Sequence, residues 1–132
     1  MKITQALLDT ISEQAKASQR LRMNYDLRNS ADDKSQRMLN AIEPGTVMPI
    51  HRHQHSSETI TCLRGRFVIE LYDEIERICT EAVELTPNGD VVAINVPAGQ
   101  WHSLRCLEPN TVLLESKDGP WEPLTEVDIL SI

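Results

Sequence analysis

Residues 45–65 read GTVMPIHRHQHSSETITCLRG, and residues 97–102 read PAGQWH. The two stretches place His51, His53, Glu58 and His102 at a spacing that few sequences reach by accident. Three imidazoles and one carboxylate suit one first-row divalent metal ion such as iron, manganese, nickel or zinc. On a strand, residues two apart face the same way, so His51 and His53 are expected side by side with Arg52 turned outward. Glu58 is expected to open the returning strand, and His102 to enter from a third strand after the Pro97-Ala98-Gly99 turn. A lone histidine is more often a core or surface residue, but four ligands at coherent spacing reverse that reading. Each imidazole must be neutral to bind, so metal occupancy should fall as the pH drops below about 6.

Working outward, RFVIELY after Gly65 alternates Phe67, Ile69 and Leu71 with Arg66, Val68 and Glu70, the period of a half-buried antiparallel strand. Between Ile75 and Leu85 helical and strand periods compete, and strand is chosen because the surroundings are short apolar runs. Those runs are punctuated by Pro87-Asn88-Gly89, Pro97-Ala98-Gly99 and Pro109-Asn110, the pattern of a barrel or sandwich. VVAINV, SLRCL and TVLLES complete a series of strands at roughly 8 to 12 residue spacing.

Upstream, Leu7, Leu8, Ile11 and Ala15 recur at helical spacing between Thr4 and Ser18, with Thr4 placed to cap the first turn. This stripe is expected to pack on the outside of the following domain or on a second subunit. Residues 20–28 and 35–43 read as two short extended segments joined by a polar turn. Glu43-Pro44-Gly45 then breaks the chain and delivers it into the ligand stretch. The division is thus one domain over 1–132: a helix over 1–19, a barrel over 20–118 and a tail over 119–132. The tail's Leu124, Val127, Ile129, Leu130 and Ile132 need a surface, on the barrel or on a partner. With the helix stripe, they suggest a homodimer.

At 132 residues and 40% apolar content the chain has enough material for one core and too little for two ordinary domains. The N-terminus carries acidic residues where a leader needs an apolar run, and no stretch nears the roughly 20 apolar residues of a membrane span. Cys62, Cys79 and Cys106 are odd in number and lack a CxxC pair, which fits reduced thiols in a cytoplasm. The net charge of −7, with no basic cluster, argues against nucleic-acid and membrane partners.

Gly45, His51, His53, Glu58 and Gly65, with five, one, four and six residues between them, resemble the first cupin motif without a mismatch. Gly89, Pro97, Gly99 and His102 resemble the second, with a longer gap after Gly89 and with Cys106 where that motif ordinarily carries Asn. The resemblance, over about residues 45–116, implies an all-β cupin-type double-stranded β-helix, a jelly-roll barrel with the metal inside and an N-terminal α-helix. The helix, RLRMNYDLR, QRMLNAIEPGT and KDGPWEP are further similar to the WbuC family of bacterial cupin metalloproteins, often encoded among surface-polysaccharide genes.

Around the metal, alternation carries Ile60, Cys62, Leu104 and Cys106 inward, which brings two thiols toward the site, read first as small apolar core residues. His55 is read as a rim residue of the ligand loop. The WbuC resemblance sets Asn24, Tyr25, Arg28, Arg37 and Asn40 near the barrel mouth. Tyr25, His55 and Arg37 are the candidates for proton transfer or for holding a substrate anion. Trp101 and Trp121 are expected to pack structurally, and the acidic residues between Glu70 and Glu84 to face solvent. The leading function is a small metal-dependent enzyme on a saccharide or small hydroxy or keto acid, of isomerase, epimerase or dioxygenase type. The alternative is a non-catalytic metal-dependent sugar-binding module. An acid or base within about 3 Å of the ligand's reactive atom discriminates them.

Overall fold

The computed structural model describes residues 1–132 and opens with a helix, α1 (Gln5–Ala17). Ten strands follow: β1 (Arg22–Asp26), β2 (Ser35–Ile42), β3 (Ile50–His51), β4 (Glu58–Arg64), β5 (Phe67–Tyr72), β6 (Cys79–Leu85), β7 (Ala93–Val96), β8 (Trp101–Cys106), β9 (Thr111–Asp118) and β10 (Ile129–Leu130). They form two five-stranded antiparallel sheets, ordered β1-β2-β9-β4-β7 and β10-β3-β8-β5-β6, which face each other as a jelly-roll barrel. No helix is long and apolar enough to cross a membrane.

The inner faces meet in a core of Ile42, Ile60, Cys62, Val96 and Leu113 from one sheet and Phe67, Ile69, Leu85, Leu104 and Cys106 from the other. These are the alternate positions of each strand, so the core follows from period-two patterning. The pattern breaks on two interior strands of one sheet, where Trp101 and Ser103 are also buried and Val68, expected outward, is 7% exposed. It lies on β5 between Glu84 of β6 and Arg105 of β8, in an interior strand whose outer face is partly covered. The 75–85 segment resolves as strand from Cys79 onward, because β5 offers it a hydrogen-bonding edge.

A second core lies outside the barrel. The Thr4 hydroxyl accepts the Leu7 N–H at 3.2 Å and starts α1. Leu8, Ile11 and Ala15 then bury against Leu39, Ala41 and Val112 on the outer face of β2 and β9. Arg64 clamps the helix by donating to Asp9 at 2.7 Å, to Ser12 at 3.0 Å and to the Asn110 carbonyl at 2.8 Å. The apolar stripe of α1 is therefore covered by its own chain and is not free to dimerise. Part of the tail lies on the barrel as a strand: β10 pairs with β3, placing Ile129 opposite His51.

The last glycine of the ligand stretch closes the β4–β5 turn. Gly65 has φ of +86°, and a Cβ there would lie 2.7 Å from the Thr111 Cα. Gly65→Ala is therefore expected to destabilise by about 2–4 kcal/mol, combining left-handed strain with a backbone clash. A urea midpoint within error of the parent would refute this.

Candidate metal centre

Three strands and one loop converge on one group of side chains beside the apolar core. β3 carries His51, β8 sets His102 directly across from it, and Glu58 opens β4. His53 lies just beyond β3, which ends at His51, so its orientation comes from the loop and not from strand alternation. The Gly99 N–H donates to the His53 carbonyl at 2.8 Å, tying the Pro-Ala-Gly turn of one motif to the ligand loop of the other. Ser103 hydroxyl donates to the Met48 carbonyl at 3.0 Å and fastens β8 to the run before β3. One ligand atom from each of His51, His53, Glu58 and His102 lies within 4.8 Å of all the others.

The hydrogen bonds around this group suit a metal. His51 Nδ1 lies 2.9 Å from the Pro49 carbonyl and His102 Nδ1 lies 2.9 Å from the Gln100 carbonyl. A carbonyl can only accept, so each Nδ1 carries the proton; the Nε2 lone pair of His51 is left for an ion, and that of His102 is freed when an ion displaces the proton its Nε2 donates to Glu58. Burial, followed by the charge of His102, pushes His51 down to about 4; burial, followed by Lys117, pushes His53 to about 4. Both imidazoles are thus neutral near pH 7, as ligation requires. The His102 Nε2 sits 2.7 Å from the Glu58 Oε1, with both residues only 3% exposed. Burial pushes His102 down, but the hydrogen bond and charge of Glu58 outweigh it and raise the imidazole above its usual value. Burial likewise pushes Glu58 up, yet His102, Lys117 and His53 hold it down at about 2. A divalent ion would replace the one proton that His102 keeps, so the donor set fits such an ion chemically.

Two of the four donors, His51 and His53, line a cavity of about 290 Å³, at the small end of ligand pockets, with Glu58 and His102 buried behind them. Its lining includes two groups that the sequence reading missed, Glu115 and Lys117 of β9. Lys117 Nζ stands 4.0 Å from the other Glu58 oxygen. Glu115 is pushed up to about 7 by burial and then by the charge of Glu58. Their signal was the alternation Leu113, Glu115, Lys117: once Leu113 is a core residue, the two polar residues must face inward as well.

The other sequence candidates scatter. Tyr25 packs with Met23 and Leu27 against the α1 core, on the face of β1 away from the cavity, so it is not at the site. Asn24, Arg28, Arg37 and Asn40 do border the cavity. Arg37 is held by the Leu27 carbonyl at 3.2 Å and Asp33 at 3.3 Å. His55 is exposed and lines an adjoining groove of about 230 Å³ with Gln54, Ser56 and Asp128, which shares His53 and Lys117 with the first cavity. The thiols are remote from the ligands. Cys62 and Cys106 each lie four residues along a strand from Glu58 and His102, about 13 Å. Burial pushes Cys62 up to about 11 and raises Cys106, which marks both as inert core groups. Trp101 is 5% exposed under the Arg52 guanidinium, whereas Trp121, expected to pack, is 57% exposed at the cavity edge.

Solved structures that share this barrel are cupins. KdgF from Halomonas sp. has a TM-score of 0.60 at 21% identity, over 76% of this chain and 82% of its own. The cupin domain of Cnp3 from Schizosaccharomyces pombe has a TM-score of 0.60 at 13% identity, over 76% of this chain and 66% of its own. CapF from Staphylococcus aureus, described as a capsular polysaccharide assembling protein, has a TM-score of 0.61 at 20% identity; 80% of this chain matches 30% of CapF. No curated protein matches the sequence. Residues 3–84 match a family described as a domain of unknown function, DUF6016, and the chain belongs to that family.

Proposed function

We propose that this chain is a metal-dependent enzyme acting on a saccharide or a small hydroxy or keto acid, as an isomerase, epimerase or dioxygenase. The observation that carries the reading is that His51, His53, Glu58 and His102 gather their ligand atoms within 4.8 Å of one another while His51 and His53 also line a cavity. A purely structural site usually fills every position with Cys and His. A divalent ion held by these four residues would supply Lewis acidity or, when ferrous, a redox centre. Glu115 is the one cavity acid poised near neutral pH, and it takes the proton-transfer role that Tyr25 and His55 do not reach. The likeness of the chain's ends to the WbuC family and of its barrel to CapF supports a saccharide setting. Three free thiols support a reducing cytoplasm, with one domain over 1–132. A homodimer would use the exposed tail residues Val127, Ile129 and Ile132, since α1 is already covered.

A non-catalytic sugar-binding module is the second reading, favoured by the loss of Tyr25 and His55 from the cavity. Metal analysis of protein purified without an affinity metal column, with oxygen uptake on the ferrous form, separates the cases. Iron with substrate-dependent uptake identifies an oxygenase. Stoichiometric manganese, nickel or zinc without uptake points to isomerase or binding chemistry, and protein that takes up no metal overturns the proposal.

A further inference from the structure

The cavity wall carries Arg20, Arg22, Arg28, Arg37 and Lys117 against Glu115 and Glu122, and these cations are unequally satisfied. Arg28 is neutralised by Asp26 at 2.8 Å and Arg37 by Asp33 at 3.3 Å. Arg22, half-buried at the start of β1, forms no ion pair; its guanidinium meets only the sulfur of Met48. Arg20 and Asn24 line the same wall, and Lys117 adds a further cation from β9. Burial and then Arg20 lower the pKa of Arg22, and the charge of Glu115 offsets them only in part. A guanidinium withdrawn from water without an anion is costly, and it is the group best shaped to take a carboxylate or phosphate in a bidentate fork.

We propose that Arg22, with Arg20 and Asn24, is the seat of a substrate anion, so that the cavity selects a small acid with two anionic or chelating ends. One end meets the His51, His53, Glu58 and His102 group, and the distal carboxylate or phosphate meets Arg22. Arg22, His51 and His53 line one cavity, and Met48, which Arg22 touches, lies three residues before His51. A four- or five-carbon acid or a small phosphorylated acid bridges the two. This deepens the function proposed above and rests on it for the chelated end only.

Three acids with one 2-hydroxy-acid head and different tails provide the test: 2-hydroxybutyrate, 2-hydroxyglutarate and 3-phosphoglycerate. Each is titrated calorimetrically into zinc-loaded protein with metal content measured in the same samples. An anionic tail should tighten binding by at least about tenfold over 2-hydroxybutyrate, and the tighter of the two names the anion as carboxylate or phosphate. Arg22→Met should abolish that advantage at unchanged metal content, and Arg22→Lys should keep part of it. Arg20→Ala, at an exposed position, should weaken it and serves where the Met variant does not fold. In parallel, metal-free protein titrated with inorganic phosphate reads the arginine seat by itself, with binding expected in the parent and lost in Arg22→Met. Equal affinity for the three acids, no binding of any, or an advantage that survives in Arg22→Met overturns the proposal. Protein that takes no metal but binds phosphate through Arg22 overturns the metal reading alone.

Discussion

His51→Ala and His102→Ala are both expected to lower zinc or manganese affinity by more than about 100-fold, the upper end of what even an outer partner of a ligand contributes. Their stability should differ. His51 is half-buried and faces no carboxylate directly, so its loss trims a ligand and leaves the metal-free barrel within about 1 kcal/mol of the parent. His102 is the 2.7 Å partner of a Glu58 that is 3% exposed, and its removal leaves Lys117 at 4.0 Å as the nearest cation. Breaking a buried pair from one side costs about 3–5 kcal/mol, so metal-free His102→Ala should unfold at markedly lower denaturant while keeping its β-sheet circular dichroism at low temperature. Equilibrium dialysis and urea unfolding read the two effects separately. Full metal retention in either variant would refute the ligand assignment, and equal stability of the two would refute the role given to the His102–Glu58 pair.

Glu115→Gln should raise the stability of the metal-free protein, and the gain should grow with pH. The folded-state value of about 7 lies above the ordinary 4.5, so the folded chain holds a proton that the unfolded chain has released between those values. Stability contributed by the protonated form is fully present below about 4.5 and is lost as the pH rises through 7. Glutamine keeps a polar side chain in the cavity and never ionises, so the variant should be level with the parent near pH 4 and about 1–3 kcal/mol more stable at pH 8. Unfolding midpoints across that range test it, and a difference that does not change with pH would sink the idea. In metal-loaded protein the same variant should retain its ion and lose turnover if Glu115 carries a proton in the reaction.

The chain's local chemistry pointed to the four candidate ligands. His51, His53, Glu58 and His102 were legible because ligand identity and the spacing of short strands are written in adjacent residues, and Thr4 with Leu8, Ile11 and Ala15 marked α1 for the same reason. Alternation placed Cys62 and Cys106 in the core, but it could not say that they lie about 13 Å from the ligands, because periodicity reports the face and says little about depth. Tyr25 and Asn24 illustrate the same limit, being neighbours on one strand whose opposite faces meet α1 and the cavity. Which face meets which was decided by the pairing of β1 with β2 and the docking of α1. Glu115 and Lys117 entered the site through the register of β9 against β4, where Lys117 lies opposite Glu58 and Glu115 opposite Ile60. The tail became a strand only because β3 left an edge open beside His51. Residue type and spacing are properties of the chain and were present before folding. Proximity between residues about 60 positions apart comes from sheet register, and only the closed barrel sets it.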